Sequence, residues 1–330
     1  MLALLFSSSV KRGLLLLLLL AVLIVPFVPQ LIYPIFLMKV MCFALFACAF
    51  NLLLGHTGIV SFGHAAFFGS SAYITGYALR DLGLTPELAI FAGVAFSAAL
   101  GAVFGALAIR RQGIYLAMIT LALAQMVYFT FLQAPFTGAE DGMQPIPRGR
   151  LFGLLDLNND TNLYFVVLAC TLGGFWLVHR IVHSPFGQVL RAIREHEPRT
   201  ISLGYAVERY KIMAFALSAG ISGLAGSLKC IVFRLASLTD AHWHMSGDVI
   251  LMTLLGGMNS VFGPAIGAVM ISALRHYFDA LGAWVTVAVG LIFIACVLMF
   301  RRGVLGEINH LLSLRPVDGR STKEKNNAQI

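Results

Sequence analysis

Charge is what this chain has least of. Asp, Glu, Lys and Arg make up 12% of its 330 residues, against about 25% in a soluble domain. Apolar runs take their place, at 14–33, 35–54, 60–79, 87–109, 113–133, 163–182, 211–236 and 283–300. Each is about long enough to cross some 30 Å of hydrocarbon as a helix. A charged side chain at the middle of such a helix costs about 2.5–3.5 kcal/mol, and mid-span Asp, Glu, Lys and Arg are nearly absent. Lys39, Lys229 and Arg234 lie towards span ends, where long side chains can reach the interface. The fold class expected is an all-α integral membrane protein, a polytopic bundle of eight to ten transmembrane helices with Gly-broken or re-entrant segments.

Other absences narrow the chemistry. The five cysteines (Cys42, Cys48, Cys170, Cys230 and Cys296) form no CxxC pair and lie at no metal spacing with His, so they read as buried free thiols. No Ser/His/Asp set and no carboxylate pair is arranged for catalysis, which argues against an enzyme. The dipeptide Gly-Lys does not occur, and with it the phosphate-binding loop is missing. If ATP drives this protein, another chain binds it, and no cofactor or metal is expected here. The net charge of +8 is no nucleic-acid signal, because the basic residues gather at span edges and in the tail. No small-x-small cleavage site follows the run from Leu14 to Val25, so a retained first span is expected.

The loop charges orient the chain, since Lys and Arg accumulate on the cytoplasmic side. Lys11 and Arg12, Arg110 and Arg111, the segment 183–210 and the tail 301–330 are basic and read as inside. The 134–162 loop holds four acids and two Arg, and 237–248 holds Asp240 and Asp248 without Lys or Arg. Both read as outside. An odd number of crossings must then separate 248 from 301, yet two apolar stretches lie there. The first, 247–275, is interrupted by Gly256-Gly257 and Gly263-Pro264, which break helices. It reads as two half-helices that re-enter, or as two short tilted crossings.

A second Gly-rich break lies at 55–69. Gly58, Ser61, Phe62, Gly63 and Ala65 resemble Gly257, Ser260, Phe262, Gly263 and Ala265 when one residue is inserted, and Gly69 resembles Gly267 after a further shift of two. Gly-interrupted segments in the two halves of a transporter point to its substrate path. Small residues also simply let helices pack closely. The candidates for a path are Gly58, Ser61, Gly63, His64, Gly256, Gly257, Ser260 and Gly263. His64, the one ionisable side chain deep in 60–79, is a functional candidate or a hydrogen-bonded packing residue. His242 and His244 flank Trp243 as an interfacial cluster.

Six Arg/Lys and three acids lie between Arg180 and Lys211, and the amphipathic block that starts at Ser184 must lie on a membrane face. Pro198 fits a first helical turn capped by His196 or Glu197, and Gly204 fits its end. This predicts a short helix over 198–205, able to sit in a partner's groove, or else a plain solvated basic loop. Arg191 and Arg194 would face lipid phosphates or acidic groups of such a partner.

Three stretches together resemble the LivM-type permease subunit of branched-chain amino acid ABC importers. They are NLLLGHTGIVSFGHAAFFGSSAYITG (51–76), SPFGQVLRAIREHEPRTISLGYAVERYKIMAFALSAGISGLAG (184–226), and MTLLGGMNSVFGPAIGA with FRRGVLGE (252–268 and 300–307). Glu197 and Gly204 match the family's cytoplasmic loop, whereas Pro198, Arg199, Thr200, Ile201 and Ser202 stand where it carries mostly small residues. The resemblance implies one transmembrane permease domain over 1–310 with a cytoplasmic tail, 311–330, and both termini in the cytoplasm of a bacterial inner membrane. It implies a second, LivH-like permease, two ABC ATPase subunits and a periplasmic binding protein as partners. It also implies that Gly187, Arg191, Arg194, Glu197 and Gly204 belong to an ATPase-coupling loop, 183–210. Relatives of this type are assigned to leucine, isoleucine and valine, and also to urea and short amides. An ion-coupled transporter is the competing class, but it should carry a mid-span Asp or Glu.

Overall fold

The computed structural model describes residues 33–299, apart from 259, 279–281 and 283. The expected first span, 14–33, and the tail lie outside the described residues. Among those described there are ten helices: α1 (Pro34–Thr57), α2 (His64–Arg80), α3 (Pro86–Ala108), α4 (Ile114–Gln133), α5 (Asp160–Val182), α6 (Pro185–Ser202), α7 (Val207–Phe233), α8 (Trp243–Gly256), α9 (Gly263–Tyr277) and α10 (Val285–Met299). The one sheet is a two-residue hairpin, β1 (Arg150–Leu151) with β2 (Leu155–Asp156). Five helices, α1, α3, α4, α5 and α7, are long and apolar enough to cross a membrane. The protein is a polytopic helical membrane protein.

Local sequence sets the helix ends. Proline opens α1, α3 and α6, where its missing N–H costs nothing. Asn159 caps α5 by accepting from Thr161 N at 3.0 Å. Gly58 stops α1 in a left-handed conformation, φ +73°.

The axis of the bundle is α7, which lies against α1, α2 and α3. Its small residues bring backbones close together, the usual device where lipid removes the hydrophobic drive for helix association. A Cβ on Gly226 would lie 2.1 Å from the Phe68 carbonyl oxygen, and one on Gly101 would lie 2.2 Å from Cβ of Ala219. Hydroxyls bond across the same seams. Ser71 Oγ donates to Gly223 O at 2.6 Å, Ser97 Oγ donates to Phe67 O at 2.5 Å, and Thr75 Oγ1 donates to Ser227 Oγ at 2.8 Å.

Several sequence boundaries move. The 60–79 span begins as a helix only at His64, so residues 58–63 stand outside it. The 211–236 span begins at Val207, which converts the last turn of the expected loop 183–210 into helix. The break in 247–275 is confirmed, with α8 and α9 forming an antiparallel hairpin. Gly267 lies against Met252 O, Gly256 against Gly263 O, and Arg275 Nη2 reaches Asp248 Oδ1 at 2.5 Å. Its arms have 14 and 15 residues, or about 21 and 23 Å of helix. Their turn lies near the C-terminal end of α1, where a Cβ on Gly55 would be 2.7 Å from Met258 O. The Phe36 and His276 rings meet at 4.7 Å, so the hairpin returns to the end of the bundle where α1 starts.

Three charges change role. Lys229 does not extend to the interface. It pairs with Asp240, which is 2% exposed, and its ammonium lies 5.7–6.0 Å from the ring centroids of Phe43, Phe68 and Phe233. Asp240 and Asp248, the acids by which the 237–248 loop reads as outside, are both held in ion pairs. At the same end Arg148, 6% exposed, donates to Ile231 O and Val232 O and pairs with Asp160 at 2.8 Å. A cation at these last carbonyls of α7 suits the helix dipole.

The seams yield a direct expectation. Gly226→Leu should abolish a monodisperse peak in detergent, and Gly226→Ala should lower stability by about 1–3 kcal/mol through overpacking. Gly173→Leu on α5, where a Cβ meets nothing within 4 Å, should leave the elution profile and melting temperature unchanged.

Candidate functional site

Two groups of residues singled out in the sequence are assembled by the fold. They meet at the C-terminal end of α1.

The first is α6. Ser184 Oγ accepts from Gly187 N at 3.4 Å and Pro185 follows it. Gly187 sits so close to the end of α5 that a Cβ would lie 2.3 Å from Val182 O, which is why a glycine stands at this turn. The element is one α-helix broken at His196, whose φ of −156° and ψ of 87° are extended. The distal piece ends at Ser202, shorter than the expected 198–205. Gly204 stands past that end at φ +88°, where a side chain meets open space but a strained backbone.

Glu197 faces inward. Its Oε1 accepts from Lys211 Nζ of α7 at 2.5 Å, and its Oε2 accepts from Gln112 Nε2 of the α3–α4 turn at 3.2 Å. Arg194 Nη1 donates to Gly55 O, and its side chain covers Gly58. These two residues anchor α6 to the bundle. Arg191 and Arg199 point to solvent, as do Ile201, Leu203 and Tyr205, which are 55%, 68% and 44% exposed. Sequence reasoning missed this apolar tip, and it placed Lys211 at an edge when its side chain is 7% exposed. The Ile-x-Leu-x-Tyr spacing around a loop glycine was the available signal for the tip. The Glu197–Lys211 pair, 14 residues apart, had none.

The second group is the pair of Gly-rich breaks, 58–63 and 257–262. The described residues of both are non-helical, and a new helix follows each, at His64 and at Gly263, within one residue of the matched position. Such backbone needs partners at membrane depth, and neighbouring helices supply them. Phe62 N donates to Thr120 Oγ1 of α4 at 3.1 Å, and Phe62 O accepts from Ser246 Oγ of α8 at 2.7 Å. Gly63 N donates to Ser61 Oγ and Ala65 N donates to Ser246 Oγ. On the other break, Asn51 Nδ2 donates to Ser260 O at 3.0 Å. Gly257 takes φ +106°, a conformation that demands glycine there.

His64 is fully buried, with Nε2 2.9 Å from Ser218 Oγ. Ser218 in turn donates to Ala49 O at 2.6 Å, so the imidazole is the donor to Ser218. Phe50 and Phe67 meet the ring edge-on. The arrangement ties α2 through α7 to α1, and it gives His64 a packing role. A Cβ on Gly58 would meet the Arg194 side chain and one on Gly63 the Phe104 ring, whereas Gly256 and Gly263 lie against each other's backbone and against Ser260 and Gly257. His242, Trp243 and His244 stack at the opposite end, with centroids 4.0–5.9 Å apart. Burial, and secondarily His244, holds His242 below the ordinary imidazole value.

A family model described as "Branched-chain amino acid transport system / permease component" matches residues 33–301. The chain belongs to this family. It is 25% identical over 299 residues to the high-affinity branched-chain amino acid transport system permease protein LivM of Salmonella typhimurium, covering 83% of this chain and 70% of that one. It is 27% identical over 250 residues to the ribose import permease protein RbsC of Bacillus subtilis, covering 71% and 73%. A 112-residue stretch is 27% identical to a probable LivH permease of Methanocaldococcus jannaschii, 32% of each chain. No solved structure matches. The family is a transport component rather than an enzyme. Within it, both residue groups have a mechanical reading: α6 is an anchored surface element, and the breaks are packed joints beneath it.

The anchor can be tested by removing one charge. Lys211→Met strands Glu197 and should loosen α6, seen as faster proteolysis within 196–205. Because the loss of one partner costs more than the loss of both, Glu197→Gln combined with Lys211→Met should recover much of the protection.

Proposed function

We propose that this chain is the membrane-spanning half of an ATP-driven importer of leucine, isoleucine and valine, working in a bacterial inner membrane. Two separate ABC ATPase subunits supply the energy, a LivH-like permease completes the channel, and a periplasmic binding protein delivers substrate. The α6 end faces the cytoplasm and the 134–162 end faces outwards, with both termini cytoplasmic. The Lys/Arg distribution supports this orientation.

One observation carries the reading beyond the family: the geometry of α6. It is held to the bundle by Glu197 and Arg194, and it offers an apolar tip at Ile201, Leu203 and Tyr205 flanked by Arg191 and Arg199. A groove on an ATPase can grip such a tip, and a push on it passes through Arg194 to the last turn of α1. The ion-coupled alternative has no comparable feature in its favour, and the names of the relatives favour branched-chain amino acids over small amides.

Co-purification with the neighbouring ATPase chains tests the assembly. Gly204→Val should insert normally, because no packing is lost, yet copurify poorly with the ATPase and transport little, because a left-handed turn costs a β-branched residue about 1–2 kcal/mol and tilts the tip. Full uptake and ATPase association in that variant would end the coupling role of this turn. In a cysteine-free background, His196→Cys should react with an impermeant thiol reagent from the cytoplasmic side alone. Labelling from outside would reverse the orientation.

A further inference from the structure

We propose that the β1–β2 hairpin is a membrane-surface anchor, whose apolar apex, Phe152, Leu154 and Leu155, inserts among lipid headgroups beside the first turn of α3. The inference needs only the membrane-spanning fold and stands independently of the importer reading.

From Leu151 to Leu155 the chain carries no polar side chain. Phe152 is 70% exposed, Leu154 87% and Leu155 45%. Leu154 N donates to Leu151 O at 3.1 Å and closes a tight turn. Both central residues of that turn are left-handed, Phe152 at φ +50° and Gly153 at φ +72°. Turns of this hand favour Gly, Asn or Asp, and a bulky ring is an outlier there. The turn's own chemistry therefore gives no reason for an aromatic ring at the apex. The base of the hairpin is different. Arg150 and Asp156 face each other across the ladder. Beyond it, Leu157 N donates to Gly149 O at 3.2 Å, and the buried Arg148 bonds Leu157 O and the carbonyls of Ile231 and Val232. An apolar apex thus projects from a polar base that is fixed to the bundle.

Its position identifies what the apex meets. A Cβ on Gly149 would lie 3.2 Å from Pro86 Cγ, and Phe152 N donates to Glu87 Oε2 at 3.3 Å. The hairpin therefore passes the first residue of α3 and ends at the second. Phe91 follows Glu87 by one turn on the same helix face. It is 70% exposed, and Leu88 beside it is 54% exposed. Between Glu87 and Arg110 lie 22 residues without a charge, about 33 Å of helix, close to the hydrocarbon thickness of about 30 Å. Glu87 thus marks the edge of the hydrocarbon. The apex bonded to it lies at that level and continues the exposed apolar stripe of a membrane span. Phe and Leu are suited to the boundary between headgroups and acyl chains. Set there, the apex holds the 134–162 segment down on the bilayer beside the starts of α3 and α5.

The test uses the full chain in lipid nanodiscs, with the five native cysteines replaced and a single nitroxide label introduced at Leu154→Cys. Leu154 packs against little, so this variant should keep the parent's elution profile. Phe91→Cys supplies the value for a lipid-facing position and Glu140→Cys that for a position in water. Collisions of the label with molecular oxygen, which concentrates in lipid, are compared with collisions with a water-soluble nickel chelate. The oxygen-to-nickel ratio at position 154 should exceed that at position 140 by at least about threefold, as interfacial insertion requires, and Phe152→Cys should behave as position 154 does. A ratio equal to that at position 140 would put the apex in water, free for a protein partner. Weak collisions with both reagents would put it in a contact between protein surfaces. Either result overturns the anchor.

Discussion

A backbone amide or carbonyl without a partner at membrane depth costs several kcal/mol, and this chain interrupts its helices there twice. The remainder of the bundle is arranged around meeting that cost. Thr120 brings α4 to Phe62, Ser246 brings α8 to Phe62 and Ala65, and Asn51 brings α1 to the hairpin turn at Ser260. Each of these side chains is short, so the helices that carry them must lie close. The small residues of α7 and α3 make that closeness sterically available. A hydroxyl bonded to backbone and a glycine under a carbonyl are thus two halves of one solution.

The same requirement gives the molecule its line of mechanical contact. The first break follows directly on the end of α1, and that end is where Arg194 of α6 attaches, at Gly55 and over Gly58. Glu197 adds a second attachment, to α7 and to the turn before α4. A partner that moves α6 therefore acts on α1, α4 and α7 together. The ion pairs at the opposite end, Lys229 with Asp240 and Arg148 with Asp160, fasten the connecting segments across the far ends of the bundle.

Much of this was legible beforehand because its causes are local. Apolar runs of crossing length placed the long helices to within a few residues. Gly204 reads as the end of a short helix, and it stands past the end of α6 at positive φ. Gly256-Gly257 and Gly263-Pro264 announced a broken segment. The misplacements also have a physical pattern. Residues 60–63 fell inside an apolar run, and Gly58 at φ +73° together with hydrogen bonds from distant Thr120 and Ser246 keeps them out of α2. Lys229 and Asp240 looked like edge charges because neither spacing nor hydropathy shows that each points at the other.

The sequence by itself determined that this is a membrane bundle with two glycine-broken segments and a basic amphipathic element between two spans, since composition, length and helix-breaking chemistry act over a few residues at a time. Tertiary structure alone decided that the 247–275 stretch is a hairpin returning to its own end, that Glu197 looks inward to Lys211, and that the hairpin apex at Phe152 lies against Glu87. Each of those facts depends on which surfaces meet across tens or hundreds of residues. Such meetings are fixed by backbone approach and by buried donors finding acceptors, and no local pattern records them.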